Sequence, residues 1–203
     1  MRFVFVVLIL LLFSPGAICQ TKEKTASVKF LLVELKSEKN KLDYFNAHKN
    51  PTELKHLSDD IAAQNLATIN DYTDHFNYCP VYFYMDTNRQ KIKDKQFEGY
   101  LFKGGYTILP ANTIPDNETR FMVVKYGHPD DSLSIFQNTM GLIMYNYKLE
   151  PLQFIKKIRG KIPKQYYFTS KKYNIEYRPF ATQLNNSFLN NYKKDTTGAE
   201  MNH

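Results

Sequence analysis

A chain of 203 residues with 43% hydrophobic content is long enough for one sizeable core and too apolar for a disordered segment. Its 15 Tyr and 15 Phe with no Trp predict a strongly aromatic interior, and the net charge of +7 favours anionic partners without dictating a fold. Of the two cysteines, Cys19 falls in an apparent leader, which leaves Cys79 alone and excludes a disulfide-stapled scaffold.

Arg2, the apolar run from Phe3 to Phe13, the Pro15-Gly16 break and the small residues Ala17 and Cys19 predict a secretory signal over residues 1–19, cleaved before Gln20. The run falls well short of the ~20 residues that span a bilayer as a helix. In the alternative, Cys19 is retained as a lipid-anchored first residue, although bulky Ile18 stands where such a site takes a small side chain. The expected product is periplasmic or secreted, with no transmembrane span, one globular domain over residues 20–195 and a polar tail over 196–203.

Val28 to Leu35 has the composition of a first strand, closed by Lys36-Ser-Glu-Lys-Asn, and Leu42, Tyr44, Phe45 and Ala47 suggest a short helix. Asn50 is placed to cap a longer helix, with Pro51 in its first position and Glu53 where a capping-box carboxylate turns back to free amides. Leu54, Leu57, Ile61, Leu66, Ile69, Tyr72 and Phe76 mark its apolar stripe, opposite a polar face. Cys79 to Met85 is apolar or aromatic at nearly every position, as in a strand covered on both faces. Two strands joined through helices are most simply parallel. The predicted fold is α/β, a central mixed sheet built on a strand-helix-strand crossover and flanked by helices, with a thioredoxin-like topology as the nearest alternative.

Further along, Arg89 to Lys95 is a charged helical piece, and Gly104-Gly105 separates Tyr100–Lys103 from Tyr106–Leu109 as a hairpin turn. Phe121 to Tyr126 and Leu142 to Tyr147 continue the sheet, the second ending at a polar reversal. Phe180, Leu184, Phe188, Leu189 and Tyr192 mark a closing amphipathic helix. The expected core brings Leu66, Ile69, Val81, Phe83, Phe121, Val123 and Ile143 together.

Chemistry-bearing motifs are sparse. Cys79-Pro80 invites a thiol-dependent enzyme of thioredoxin-like type, yet Phe76 and Tyr82 stand where the second thiol of such a pair belongs. His75 lies four residues before Cys79, but one belongs to a helix end and the other to a strand. His128, Asp130 and Asp131 are metal-ligand types that also form turns, and no second histidine falls at ligand spacing. No phosphate loop, nucleophile elbow, zinc-protease helix or calcium loop occurs, so no catalytic residue, cofactor or metal is assigned.

The strongest functional signal is compositional. Lys156 to Arg178 holds eight basic residues and one acid, with five tyrosines and phenylalanines between them. Lys156, Lys157, Arg159, Lys161, Tyr166 and Tyr167 are its candidate binding residues, suited to an anionic surface or polymer such as lipid headgroups, polysaccharide or DNA. The same pattern fits a pair of edge strands whose lysines face water. Export and this segment together suggest a non-enzymatic envelope or extracellular binding protein.

The segment Phe76-Asn-Tyr-Cys-Pro-Val-Tyr-Phe-Tyr, with the preceding Ala-, Asn- and Asp-rich helix and the Leu-Leu-Val-Glu-Leu-Lys strand, resembles an uncharacterised family of small secreted Bacteroidota proteins. Gly141-Leu-Ile-Met-Tyr-Asn is similar to that family's downstream strand, so the resemblance spans roughly residues 28–150. It implies export and carries over no catalytic residue. The basic-aromatic region departs from the pattern.

Overall fold

The structure, a computed structural model, describes residues 27–115, 117–127, 141–155, 168–173 and 175–191. The leader, Cys19, the 128–131 loop and the tail beyond 191 lie outside them. The fold is α/β. Strands β1 (Phe30–Leu35), β2 (Val81–Met85), β3 (Phe121–Gly127), β4 (Gly141–Tyr145) and β5 (Pro151–Ile155) form one mixed sheet in the order β2-β1-β3-β4-β5. The described helices are α1 (Lys39–Ala47), α2 (Pro51–His75), α3 (Arg89–Lys93) and α4 (Ala181–Asn191), and none is long and apolar enough to cross a membrane.

The expected parallel pairing of the first two strands is present, with Leu31 opposite Val81 and Leu35 opposite Met85. Of these two, however, β1 lies inside the sheet and β2 ends the row of strands. All six β1 residues are buried, and β1 is flanked by β2 and by β3, which is also parallel to it. On its far side β2 meets, among the described residues, a single antiparallel bridge, Phe83 to Phe102, made by two hydrogen bonds of 2.8 and 3.0 Å. Its aromatic run reflects that cover over an edge. The bridge continues into the expected turn, where Phe102 faces Ile108 and Gly105 takes φ +74°, a conformation that glycine adopts without strain.

Beyond β3 the sheet turns antiparallel. The polar reversal after β4 is a tight turn in which the Asn146 side-chain oxygen accepts the amides of Lys148 and Glu150. The chain returns as β5, a strand the apolar pattern did not reveal. Phe168–Ser170 and Ile175–Tyr177 pair separately as a two-stranded ribbon, β6 and β7.

Each face of the sheet has its own core. The first gathers Leu31, Val33, Leu35, Phe83 and Val124 against Ile69 and Tyr72 of α2, Phe76 just after it, and Leu184 and Phe188 of α4. The second gathers Leu32, Tyr84, Phe121, Val123, Ile143 and Tyr145 against Ile92 of α3, Phe97, Leu101 and Leu109. The single expected core therefore divides, because neighbouring strand residues point to opposite faces. Ile69 and Phe83 belong to the first core, Phe121, Val123 and Ile143 to the second, and Val81 is only partly buried. Leu66 is 52% exposed, which places it off the buried stripe.

The α2 start is as expected at Asn50, whose side chain accepts the Glu53 amide at 3.2 Å, with Pro51 in the first turn. The Glu53 carboxylate does not turn back. It accepts instead from Lys172 (2.6 Å) and the Tyr173 hydroxyl (2.7 Å), pinning the β6–β7 ribbon to α2. The buried stripe of α2 also includes Gln64, Asn65, Thr68 and Asp71. Asp71 ties the carboxyl-terminal elements down, for one of its oxygens accepts the Tyr177 hydroxyl (2.6 Å) and the Phe180 and Ala181 amides (both 3.0 Å).

Candidate functional site

The candidate site lies at the carboxyl ends of the parallel strands. From β1 the chain passes through α1 into α2, which packs on the first face. From β2 it passes through a short 3-10 turn at Asp86–Asn88 into α3, whose Ile92 packs on the second. Adjacent parallel strands whose connections leave to opposite faces part at their carboxyl ends, and open α/β sheets bind ligands in the crevice so formed. A cleft of about 430 Å³ occupies this place. Its walls are Glu34, Lys36, Ser37, Glu38, Lys39 and Asn40 after and within β1, Asp86, Thr87 and Arg89 after β2, and Lys125 of β3. Every described lining residue is polar or charged.

Two of these charges are deeply buried. Glu34 is 5% exposed and Lys125 6%, and they sit opposite each other in the β1–β3 register, where the second core gives out. Glu34 also stands opposite Tyr84 of β2, whose hydroxyl donates to Glu34 Oε2 at 2.7 Å. Burial and the neighbouring Glu34 charge push the Tyr84 phenol well above its ordinary pKa, so it remains a donor at any physiological pH. Arg89 Nη1 lies 3.5 Å from Glu34 Oε2. The Arg89 guanidinium and the Lys125 ammonium both lie over the Tyr145 ring, at 4.7 and 5.4 Å from its centroid.

The turn after β1 is held from two sides. Asp86 Oδ1 accepts the Ser37 amide at 3.1 Å, while Asn65 of α2 accepts the Lys36 amide at 3.1 Å and donates to the Lys36 carbonyl at 2.8 Å. The Lys36 side chain crosses to the end of β3. Its ammonium lies against Gly127, where an added Cβ would stand 3.5 Å from Lys36 Nζ, an ordinary contact. The cleft is thus a fixed mixed-charge surface, equipped to orient a polar anion by charge and hydrogen bonds.

Lys156, Lys157, Arg159, Lys161, Tyr166 and Tyr167 lie outside the described residues. Of the same basic-aromatic segment, Lys172 and Tyr173 are engaged with Glu53, and Tyr177 is fully buried against Asp71. Cys79 packs partly buried against the first core, and burial pushes its thiol up to about 12, which keeps it protonated at neutral pH and does not favour a thiolate nucleophile. The His75 ring sits beside Asp71, 3.1 Å from its carbonyl oxygen and 3.2 Å from Oδ1.

Sequence reasoning missed the cleft, although a signal was available. Glu34 is a lone acid in one apolar strand run and Lys125 a lone base in another, each near its strand's carboxyl end. No protein-family model, curated protein or solved structure matches this chain.

Proposed function

We propose that this chain is a binding protein for small anionic molecules rather than a catalyst, working in the exported compartment that its amino-terminal sequence implies. One observation carries the proposal: Glu34 and Lys125, opposite charges each more than nine-tenths buried, meet in register beside an open cleft of about 430 Å³. Taking charges out of water costs several kcal/mol per ion, and apolar residues would have extended the second core at both positions. Departures of this kind from the rules of stable packing concentrate where a protein binds or reacts. A rigid sheet supplies the floor and two pinned turns the walls, so little ordering is needed when a ligand arrives.

Thermal unfolding of the full chain against acetate, citrate, sulfate and phosphate tests this. A ligand that binds only the folded state raises Tm with concentration. At least one anion is expected to do so at constant ionic strength, with the rise lost in Arg89→Gln. Equal responses of both proteins to every anion would contradict the proposal.

A further inference from the structure

We infer that the cleft is the inner end of a track for an acidic polysaccharide, an inference that extends the preceding reading from a single anion to a chain and rests on it. Two tyrosines, two residues apart, each carry a pair of cations. Tyr145 has Arg89 and Lys125 over its ring, and both of those cations line the cleft. Tyr147, in the turn that follows β4, has Lys95 Nζ at 5.3 Å and Lys148 Nζ at 5.7 Å from its ring centroid. Arg89 opens α3 and Lys95 lies just past its end, so the helix brings one cation to each ring. Two successive positive stations therefore lead from the cleft along the second face of the sheet.

The outer station is held by closed turns. Tyr147 packs partly buried against the second core. Lys95 takes the left-handed conformation that ends α3 (φ +59°), where its amide donates to the Ile92 carbonyl at 3.0 Å and the Gln96 amide to the Lys91 carbonyl at 2.8 Å. Lys148 lies in the turn that Asn146 ties, in which the Leu149 amide donates back to the Asn146 carbonyl at 2.9 Å. The acids of these two turns are engaged by amides, Asp94 accepting from Gln90 and Glu150 from Asn146. Two ammonium groups gathered on one ring repel each other, and an anion bound beside both relieves the repulsion. Fixed beforehand, they lose little freedom when it arrives. The pairing of ring with cation also selects the polymer. Single strands of nucleic acid are held by bases stacked on aromatic rings, whereas ammonium and guanidinium groups lie over these rings instead. A chain whose sugar units each carry a carboxylate meets successive cations without stacking.

Isothermal titration calorimetry of the full chain at low salt tests this, with polygalacturonate, dextran and an oligothymidylate of matched charge as probes. Polygalacturonate is expected to bind and dextran not, with an affinity that falls steeply as salt is added. Lys95→Gln combined with Lys148→Gln should weaken binding about tenfold, against less than about twofold for Lys49→Gln combined with Lys55→Gln, an equal loss of charge beside and on α2. Tyr147→Phe should bind as the unaltered chain does and Tyr147→Leu as the Lys95 and Lys148 double variant does, because the ring seats both cations. Each variant is checked for a native circular dichroism spectrum. Equal losses from the two lysine pairs would reduce the effect to net charge and overturn the inference. So would tighter binding of the oligothymidylate, or polygalacturonate binding that is lost only when Lys156, Lys157, Arg159 and Lys161 are neutralised together. Absence of polygalacturonate binding would overturn it too, and would extend to the cleft itself only if the small anions also fail to raise Tm.

Discussion

The two ends of the parallel strands carry the same ingredients and use them differently. At the amino ends, Glu118 gathers Lys29, which precedes β1, and Arg120, which precedes β3. Its Oε1 accepts the amides of Thr119 and Arg120 and the Arg120 Nε, and its Oε2 accepts from Lys29 at 3.3 Å and Arg120 Nη2 at 3.1 Å. At the carboxyl ends, Glu34 lies 3.5 Å from Arg89 and opposite Lys125 in the register, one acid beside two bases, yet its Oε1 accepts no hydrogen bond from the described residues and the residue lines a cleft. A buried charge is therefore no mark of a binding site on its own. Glu118, saturated by its neighbours, clamps two strands, whereas Glu34 retains capacity for something from outside.

The largest effect should come from removing what supports both ends. Phe83 is 1% exposed in the first core, and Phe83→Ala is expected to cost ~3–5 kcal/mol through lost burial and a residual cavity, measured by urea denaturation. A cost under ~1 kcal/mol, typical of surface changes, would contradict its place beneath the β1–β2 pair.

Breaking the amino-end clamp should cost less and depend on pH. The Arg120 hydrogen bond, against some opposition from burial and with help from Lys29, holds the Glu118 carboxyl at about 2, below its ordinary 4.5. A pKa depressed in the folded state contributes stability that is fully present above about 4.5 and disappears as pH falls through about 2. Lys29 and Arg120 are both half-exposed, so solvent screening reduces the contribution to ~1–2 kcal/mol. Glu118→Gln should lose that amount at pH 7 and much less at pH 3, with ligand affinity unchanged. An equal loss at both pH values would show that the clamp is not ionic.

The smallest effect is expected at Leu66, which its spacing places on the apolar stripe but which is half-exposed on α2. Leu66→Ala should shift stability by less than ~0.5 kcal/mol in the same urea experiment. A loss of ~2 kcal/mol or more would restore it to the core.

That error shows how far the sequence could be read. Strand-helix-strand order, the Asn50 cap, the parallel pairing and the closing helix follow from local patterns, and each is present. The face of α2 that packs could not be read from hydropathy, because Asn65 and Asp71 are buried for their hydrogen bonds to Lys36, Tyr177 and the start of α4. Those partners lie 29 or more residues away in the chain. Likewise Glu34 and Lys125 become a site only through the β1–β3 register, which brings together residues 91 apart in number. Composition drew attention to Lys156–Arg178 because its charges are contiguous, while the cleft's charges come from β1, β3 and the segments that follow β1 and β2.

The most direct test of the account is to follow backbone amide NMR shifts as whichever anion raises Tm most is titrated into the full chain. The largest changes are predicted at the carboxyl ends of the strands, in Glu34 to Asn40, Asp86 to Arg89 and Lys125, with Lys29 and Glu118 to Arg120 unmoved. Changes centred on the Glu118 clamp, or scattered over exposed lysines with no focus at the cleft, would contradict the claim that only the open end of the sheet is a site.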